Sequence, residues 1–448
     1  MGAIEDALRR VVHTGDAHRG YLVGFSGGLD STVLLHALSR CTDKPVRALY
    51  VHHGLHPDAD HWAQHCDAVC TELGVAHRTV RVDLGDVSGC SLEAAARTAR
   101  YRALAAALRA GERLLTAHHA GDQAETVLFN LLRGSGPSGL AGMPVDKPFG
   151  VGRHVRPLLA IGRPVLKRYA HHHGLNWVED SGNADQRFDR NMLRHTVLPR
   201  LAARFPGMEA TLGRVAGLQA EAVELLAALA QQDLQALTAP GEPGLSVSGL
   251  RALTPPRAHN VLRCWLRRQG LPLPSQAVLR RITGELLPAA DDAMPQVAWA
   301  DVSVRRFRGR VVPCARRQAR DPGLNQPWAG ERALLLGDGN GRVVFELRAA
   351  GLCFRPQRDW RIRYRCGAER LRPRPDGPTR SLKQLFQEAK VPPWERQCTP
   401  LIYCDDRLAA VAGLAIDAQF YGVGTQTSPA LWPCWSGPSP LPGCAAAG

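Results

Sequence analysis

The sequence predicts an α/β protein, with a parallel sheet in an N-terminal domain, then an α-rich domain and a small α+β domain. Three observations predict this class. Short apolar runs alternate with helix-length segments from residue 20 to about 180, which is typical of a parallel sheet. Residues 209–236 contain no proline and space Leu and Ala three and four residues apart, which predicts a long helix. The 448 residues are enough for about three domains.

Four runs in the first domain are predicted as strands because they are short, apolar and bounded by turn residues. These runs are 21–25, 46–51, 77–82 and 113–117. After the long helix, APGEPG at 239–244 predicts a linker. Residues 245–312 predict an α-rich module with helices near 257–268 and 275–286, and a loop-like stretch at 319–331 precedes further strand-like runs.

These signals divide the chain into four parts. We expect domains at 1–215, 216–318 and 332–422. The remaining segment, 423–448, mixes Pro, Gly and Ser and is expected to be a flexible tail.

Basic charge is concentrated in the C-terminal half. The net charge is +15, and residues 251–400 hold 29 Lys or Arg against 13 Asp or Glu, whereas residues 1–215 hold 26 against 21. Such a cluster predicts a polyanionic partner such as nucleic acid. Arg outnumbers Lys by 51 to 5, which codon bias would explain, but codon bias does not explain the scarcity of acids.

The sequence shows no export or membrane signal. No apolar run approaches the roughly 20 residues that span a bilayer, and acidic residues interrupt the N-terminus MGAIEDALRR. We therefore expect no membrane association, a cytoplasmic location and reduced cysteines.

The most informative motif follows the first predicted strand. YLVGF leads into Ser26-Gly27-Gly28-Leu29-Asp30-Ser31, and an apolar helix follows at once. Glycines let the backbone approach a ligand, and the amides at a helix start suit a phosphate. The motif has neither the Gly-Lys-Ser/Thr of a Walker loop nor the spacing of a dinucleotide fingerprint. An ordinary capped turn would explain a bare Ser-Gly-Gly, but not the full motif.

The full motif closely resembles the PP-motif of the ATP pyrophosphatases, which split ATP between the α- and β-phosphates. The resemblance implies a Rossmann-like (adenine nucleotide α-hydrolase-like) sheet, with ATP and Mg²⁺ as cofactors. It also implies that the backbone of residues 27–31 holds pyrophosphate, and that Asp30 holds the metal.

Further segments narrow the resemblance to one family. SLEAAARTARYRAL at 91–104 and AHHAGDQAETVLFNLLRGSG at 117–136 carry acids and arginines at helical spacings, and RFDRNMLRH at 187–195 opens another helix. Residues 245–286 look like a substrate-binding module, and 380–417, with its VPPWER segment, look like a C-terminal tRNA-recognition module. In this order, after the PP-motif, they closely resemble the tRNA(Ile)-lysidine synthetases.

That family modifies the wobble cytidine of an isoleucine tRNA with a CAU anticodon. ATP adenylates the C2 oxygen of the cytosine and releases diphosphate, and the ε-amine of free L-lysine then displaces AMP. The resemblance therefore implies three partners, namely ATP, free lysine and this tRNA, and it makes a homodimer possible.

The resemblance also implies roles for particular residues. Catalysis is assigned to Asp30, Asp122, Glu125 and Arg190. ATP binding is assigned to Ser26, Gly27, Gly28, Leu29, Asp30, Ser31, Arg133 and Gly134. Lysine binding is assigned to Glu93, Asp122, Glu125 and Asn191. Contacts with tRNA are assigned to Arg97, Arg380, Lys383, Trp394 and Arg396, although core packing is a competing role for Trp394.

One departure from the family pattern lies in the predicted helix that carries Asp122 and Glu125. The family usually has two consecutive acids where this chain has Gly121-Asp122, which puts metal or lysine binding by residue 121 in doubt. Two alternatives stay open. One is an ATP pyrophosphatase with another acceptor, such as a tRNA thiolase or an amidotransferase-type synthetase, and the other is a tRNA-binding protein that has lost catalysis.

Overall fold

The computed structural model describes residues 2–12, 18–83, 92–179, 189–290, 293–315, 321–424 and 430–437, without the side chains of Glu93 and Ala315. The chain divides into two compact units, Met1–Leu225 and Leu226–Gly448. The boundary between units and the boundary expected at residue 215 both fall within one long helix, Met208–Leu237. The third expected domain and residues 226–318 of the second lie together in the second unit.

The first unit is built around a six-stranded sheet. Its strands are β1 (Gly20–Gly24), β2 (Val46–His52), β3 (Ala76–Arg81), β4 (Glu112–Leu115), β5 (Asp146–Phe149) and β6 (Gly152–Val155). Its helices are α1 (Gly2–Val12), α2 (Leu29–Cys41), α3 (Ala59–Glu72), α4 (Leu92–Ala107), α5 (Ala120–Leu132), α6 (Pro137–Leu140), α7 (Arg163–His172), α8 (Asp189–Met192), α9 (Leu198–Arg204) and α10 (Met208–Leu237), with a π-helical turn at Leu193–Val197.

The order of the strands determines where a ligand can bind. The sheet runs β3-β2-β1-β4-β6-β5, and all neighbours are parallel except β5, which pairs antiparallel with β6. The strand order therefore reverses between β1 and β4. In open parallel sheets a crevice forms at such a reversal, beyond the carboxyl ends of the strands. The predicted strands and the long helix are confirmed to within two residues.

A buried polar chain lies below this crevice. Thr116 Oγ1 lies 2.8 Å from His118 Nδ1 and 2.8 Å from His154 Nε2, and Arg156 donates to His154 Nδ1 at 3.2 Å. Because Arg156 can only donate, His154 donates through Nε2 to Thr116, whose hydroxyl is left to donate to His118. Both imidazoles are therefore neutral. Burial lowers the pKa of His154 to about 2 and that of His118 to about 3.

The second unit begins with a mixed module. Strands β7 (Leu245–Ser246), β8 (Gln296–Trp299), β9 (Val302–Phe307) and β10 (Arg310–Ala315) form an antiparallel sheet in the order β7-β10-β9-β8. Helices α11 (Val247–Ala252), α12 (Pro255–Arg268) and α13 (Gln276–Arg281), with a π-helical turn at Ile282–Leu286, share its core. The expected helices are confirmed, whereas the sequence reasoning missed the sheet.

The rest of the second unit is mostly antiparallel strand. One sheet has the order β11-β14-β17-β18-β19, another has β12-β13-β20, and β15 pairs with β16. Its strands are β11 (Asn325–Pro327), β12 (Ala333–Leu335), β13 (Arg342–Cys353), β14 (Trp360–Arg363), β15 (Arg370–Leu371), β16 (Arg380–Ser381), β17 (Leu401–Cys404), β18 (Arg407–Val411), β19 (Ala415–Ile416), β20 (Tyr421–Val423) and β21 (Ala430–Ser436). Its helices are α14 (Leu382–Glu388) and α15 (Pro393–Arg396).

Two expectations about the limits of this last domain are wrong. The stretch 319–331, expected to be a loop, contains β11, which pairs with β14, and Trp328, which is buried in the core. The expected flexible tail at 423–448 contains β21, which pairs with β13. Ala430 and Leu431 are buried there, and Pro433 is tolerated because β21 pairs on one side only. Residues 425–429 and 438–448 lie outside the described part.

The neutral histidines predict acid sensitivity. Their pKa is near 6.5 in the unfolded chain and far lower in the folded one, so the unfolded state binds more protons below pH 6.5. We expect each histidine to reduce the free energy of unfolding by about 1 kcal/mol between pH 6.5 and 5.5. Urea unfolding across this range measures the slope. His154→Gln should flatten the slope, the exposed control His172→Gln should not, and equal slopes would contradict the prediction.

The strand β21, found in the expected tail, should contribute measurably to the free energy of unfolding. Leu431 is 3% exposed and belongs to the core of its domain, so Leu431→Ala should lower the free energy of unfolding by about 2–5 kcal/mol. Leu335 is 75% exposed, and Leu335→Ala is the matched control, with little expected change. Chemical unfolding followed by tryptophan fluorescence compares the two variants. Equal stabilities would show that Leu431 contributes nothing to the core.

Candidate active site

The loop at residues 26–31, which carries the PP-motif and is called the phosphate loop below, lies at the carboxyl end of β1, as predicted. Gly27 has φ +75°, a conformation that L side chains rarely adopt, and a Cβ there would lie 3.0 Å from Cys66 Sγ. Ser31 donates from its hydroxyl to the Gly28 carbonyl at 3.0 Å, and its Oγ lies 3.1 Å from Ser26 Oγ. Leu29 is buried in the core and anchors the first turn of α2. The loop therefore presents the start of α2 to the crevice.

Asp30 is the charged residue of this loop. Its Oδ2 lies 3.7 Å from His119 Nε2 and its Oδ1 lies 3.8 Å from Arg163 Nε. Oδ1 is also buried, with no hydrogen-bond partner in the described part of the chain. Burial raises the pKa of Asp30, although His119 and Arg163 partly offset this. An acceptor oxygen left without a donor is unusual, and it suits a bound cation.

The N-terminus of α5 lies beside Asp30. His119 caps the helix, because its Nδ1 accepts from the Gly121 amide at 3.0 Å while its own amide donates to Asp122 Oδ2 at 3.0 Å. With Nδ1 accepting, the proton of the neutral ring is on Nε2. Nε2 lies 3.7 Å from Asp30 and 3.6 Å from Asp122. His119 therefore links the two carboxylates.

Arg194 joins the two acids of α5. It donates from one terminal nitrogen to Asp122 Oδ1 at 2.9 Å and from Nε to Glu125 Oε2 at 2.9 Å. Arg190 NH1 lies 3.5 Å from the other oxygen of Glu125. Asp122 and Glu125 thus face one place, as their helical spacing predicted, and their charges are compensated there.

The pKa values of Glu125 and Asp122 are shifted in opposite directions. Burial raises the pKa of Glu125, and Arg194 and Arg190 do not fully offset it. Burial also acts on Asp122, but the adjacent His119 and Arg194 outweigh it and hold the pKa of Asp122 below its usual range. Neighbouring groups with separated pKa values commonly mark a site of proton transfer.

The arginines beside α5 share an aromatic contact. The Arg133 and Arg190 guanidiniums lie 5.2 and 5.4 Å from the centre of the Phe129 ring. Arg133 caps the C-terminus of α5, and Gly134 follows with φ +70°. Both are exposed. Asn191 is half-buried on α8, next to Arg190.

Two residues assigned from the family lie on α4. Arg97 has its guanidinium 5.2 Å from the centre of the Tyr101 ring, and it is only partly exposed. The Glu93 side chain lies outside the described residues.

The sequence reasoning missed three side chains at the site, namely His119, Arg163 and Arg194. The spacing of Arg190 and Arg194 is four residues, which places both on one helical face and would have indicated Arg194. His119 precedes the apolar run of α5 and has Asp122 three residues later, the pattern of a capping box. No sequence signal indicated Arg163.

The residues assigned to tRNA in the second unit have different surroundings. Arg380 forms an ion pair with Glu388, and Lys383 is exposed on α14. Trp394 is half-buried, with its ring centre 5.6 Å from that of Phe307 and 5.0 Å from the Arg305 guanidinium. The Nε of Arg396 donates to the Val391 carbonyl at 2.9 Å. Trp394 therefore packs between two modules, which is the competing role considered for it.

Two kinds of feature are absent from the part of the chain that the structure describes. Within the described residues, no three His, Cys, Asp or Glu side chains are grouped to hold a metal ion by themselves. In the same part of the chain, no helix is both long enough and apolar enough to cross a bilayer.

Comparison with known proteins identifies the family. The model of the PP-loop domain matches residues 3–201, the TilS substrate binding domain matches 245–312, and the TilS substrate C-terminal domain matches 360–430. The chain is 43% identical over 420 residues to the tRNA(Ile)-lysidine synthase of Methylococcus capsulatus, covering 91% of this chain and 94% of that protein. It is 45% identical over 407 residues to that of Alkalilimnicola ehrlichii, covering 90% and 91%. The chain therefore belongs to the tRNA(Ile)-lysidine synthase family.

Proposed function

We propose that the protein ligates free L-lysine to C2 of the wobble cytidine in the isoleucine tRNA with a CAU anticodon. Its family makes it an ATP-using, tRNA-modifying ligase. The observation that carries the proposal is the meeting of the phosphate loop with the paired acids of α5 at one edge of the sheet. Adenylation of the C2 oxygen releases diphosphate, and attack by the lysine ε-amine then releases AMP.

The first step needs a site for the phosphates. Amides at the start of α2, which has no side-chain cap, suit the diphosphate, and the hydroxyls of Ser26 and Ser31 lie 3.1 Å apart in the same loop. Arg133 and Arg190 are close enough to share the Phe129 ring and offer positive charge for the developing anion.

Mg²⁺ fits the same end of the site. In nucleotide sites this ion is typically held by one or two carboxylates together with the phosphates, and Asp30 offers a buried oxygen with no donor in the described part of the chain. Asp30 would hold the ion there, and the ion would supply positive charge against the phosphates. The fit of Asp30 supports Mg²⁺ as a cofactor.

The second step needs a proton acceptor. Lysine has a pKa of about 10.4 in water and attacks only after its ammonium group loses a proton. We assign the proton to Glu125, because burial raises its pKa whereas the pKa of Asp122 is lowered. A base with a higher pKa accepts a proton more readily. Asp122 then holds Arg194 in place, and Arg194 orients Glu125.

Binding of tRNA is proposed for a basic cluster in the second unit. Arg305 and Arg308 on β9 and its following turn lie beside Trp394 and Phe307. Arg308 also donates to the Gln387 carbonyl at 3.5 Å, and burial together with the charges of Arg365 and Arg308 lowers the pKa of Arg396. In the described part of the chain Arg305, Arg308 and Arg396 form no ion pair, whereas Arg365 lies 3.6 Å from Glu369. Guanidinium groups without a paired acid favour a phosphate backbone. Trp394 thus acts indirectly, by holding Arg305.

Three further assignments rest on the family alone. They are free lysine as the second substrate, a homodimer and a cytoplasmic location.

Lysine incorporation tests the proposed reaction. Incubation with ATP, Mg²⁺, labelled lysine and a CAU-anticodon isoleucine tRNA transcript should label the tRNA and release AMP. Asp30→Ala should reduce the rate at least about 100-fold, because the phosphate site loses its carboxylate, and it should leave tRNA affinity near normal. Asp43→Ala, at an exposed position beyond α2, is the matched control.

Other outcomes of this assay contradict the proposal in distinct ways. ATP turnover without lysine transfer would indicate a synthetase with another acceptor. Tight tRNA binding with neither activity would indicate a protein that has lost catalysis. An unchanged rate in Asp30→Ala would overturn the assignment of the phosphate site.

The basic cluster predicts a separate effect on tRNA. Replacing both Arg305 and Arg308 with Ala should weaken tRNA binding and lower the slope of log Kd against log salt by about 1 to 2, because fewer phosphate contacts release fewer ions. Filter binding at several salt concentrations measures both quantities. Arg358→Ala is the control, since Asp405 already neutralises Arg358. Equal slopes for the double variant and for Arg358→Ala would show that Arg305 and Arg308 do not contact the tRNA.

A further inference from the structure

A fourth carboxylate approaches the site from α10. Glu209 lies in the first turn of this helix. A Cβ built on Gly121 would lie 3.3 Å from Glu209 Oε1 and 2.9 Å from His119 Cε1. A Cβ built on Gly162 would lie 3.9 Å from Glu209 Oε2. The Glu209 carboxylate therefore occupies the space beside the α5 N-terminus that a side chain at residue 121 would enter.

The charge of Glu209 is not compensated in the described part of the chain. No hydrogen bond or ion pair of its carboxylate is found there. Asp122 and Glu125, by contrast, both bond to Arg194. The negative charge available to a cationic ligand at this end of the site is thus that of Glu209 together with that of Asp30, whose Oδ1 accepts no hydrogen bond in the described part of the chain although Arg163 Nε lies 3.8 Å away.

The neighbours of Glu209 connect it to the phosphate loop. His119, whose ring lies beside the Gly121 position, is 3.7 Å from Asp30. Gly162 directly precedes Arg163, which is 3.8 Å from Asp30. Glu209 therefore lies beside the two segments that carry the neighbours of Asp30.

We propose that Glu209 is a further cation-binding residue of this site, which supplies from α10 the carboxylate that Gly121 does not carry. The inference rests on the proposed function, because that function requires two cations, the divalent metal of ATP and the ammonium group of lysine. Both are bound by carboxylate oxygen atoms. A purely structural role is the competing explanation, since an acid in a first helical turn also stabilises the helix.

Removing the charge of Glu209 without changing the shape of its side chain separates cation binding from a structural role. Glu209→Gln keeps the size of the side chain, and Glu221→Gln changes an exposed glutamate on the same helix as the control. Mn²⁺ affinity in the presence of a non-hydrolysable ATP analogue is measured by electron paramagnetic resonance, and lysine affinity by equilibrium dialysis, both on the full chain. We expect one of the two affinities to fall about 10-fold or more in Glu209→Gln only. A loss of Mn²⁺ affinity would identify the metal as the cation bound by Glu209, and a loss of lysine affinity would identify the ammonium group.

A rescue variant tests the position of the carboxylate. Gly121→Asp in the Glu209→Gln background places an acid in the same space, although the His119 ring, whose Cε1 would lie 2.9 Å from the new Cβ, must shift. This variant should restore most of the lost affinity. Unchanged affinities in Glu209→Gln would overturn the inference. The inference would also be overturned if Glu209→Gln lowered the midpoint of thermal unfolding enough to explain the lost affinity, and if Gly121→Asp did not restore that midpoint.

Failure of the proposed function is distinguishable from failure of this inference. If the unaltered protein transfers no lysine to tRNA but Glu209→Gln still weakens Mn²⁺ binding, the proposed reaction is wrong and the role of Glu209 stands. If lysine transfer is normal in Glu209→Gln and both affinities match those of Glu221→Gln, the reaction stands and the role of Glu209 is wrong.

Discussion

Charge repulsion between carboxylates is the constraint around which the site is organised. Asp30, Asp122 and Glu125 approach one edge of the sheet, where burial would otherwise favour their neutral forms. Arg194 compensates the two acids of α5, and His119 lies between Asp30 and Asp122. The site can therefore keep negative charge in a partly dry environment, which the proposed lysine and metal nucleotide would both require.

The topology of the sheet makes this arrangement possible. The phosphate loop follows β1 and the acidic helix follows β4, and these two strands are neighbours at the point where the strand order reverses. Two chain segments almost one hundred residues apart thus open onto one crevice. The chain of hydrogen bonds from Arg156 through His154 and Thr116 reaches His118, directly before the cap of α5, and its two imidazoles add no charge there.

Much of the fold was predictable because the signals were local. Short apolar runs bounded by turn residues predicted β1 to β4, and Leu and Ala spaced three and four residues apart predicted α10. The errors came where a local pattern was weak. The proline at residue 433 disguised β21, whose partner is the distant β13, and the strands of the middle module are short runs between stronger helical signals. Trp394 was ambiguous for the same reason, because only its contact with Phe307 decides between packing and exposure.

The sequence by itself determined the family, the phosphate loop and the acids of α5, because a motif and a helical spacing depend on residues close together in the chain. Only the tertiary structure decided which charges are already compensated. Arg194 reaches Glu125 and Asp122 across 69 and 72 residues, and Glu209 approaches Gly121 from a separate helix. Such contacts arise from the packing of whole elements, and no local pattern encodes them.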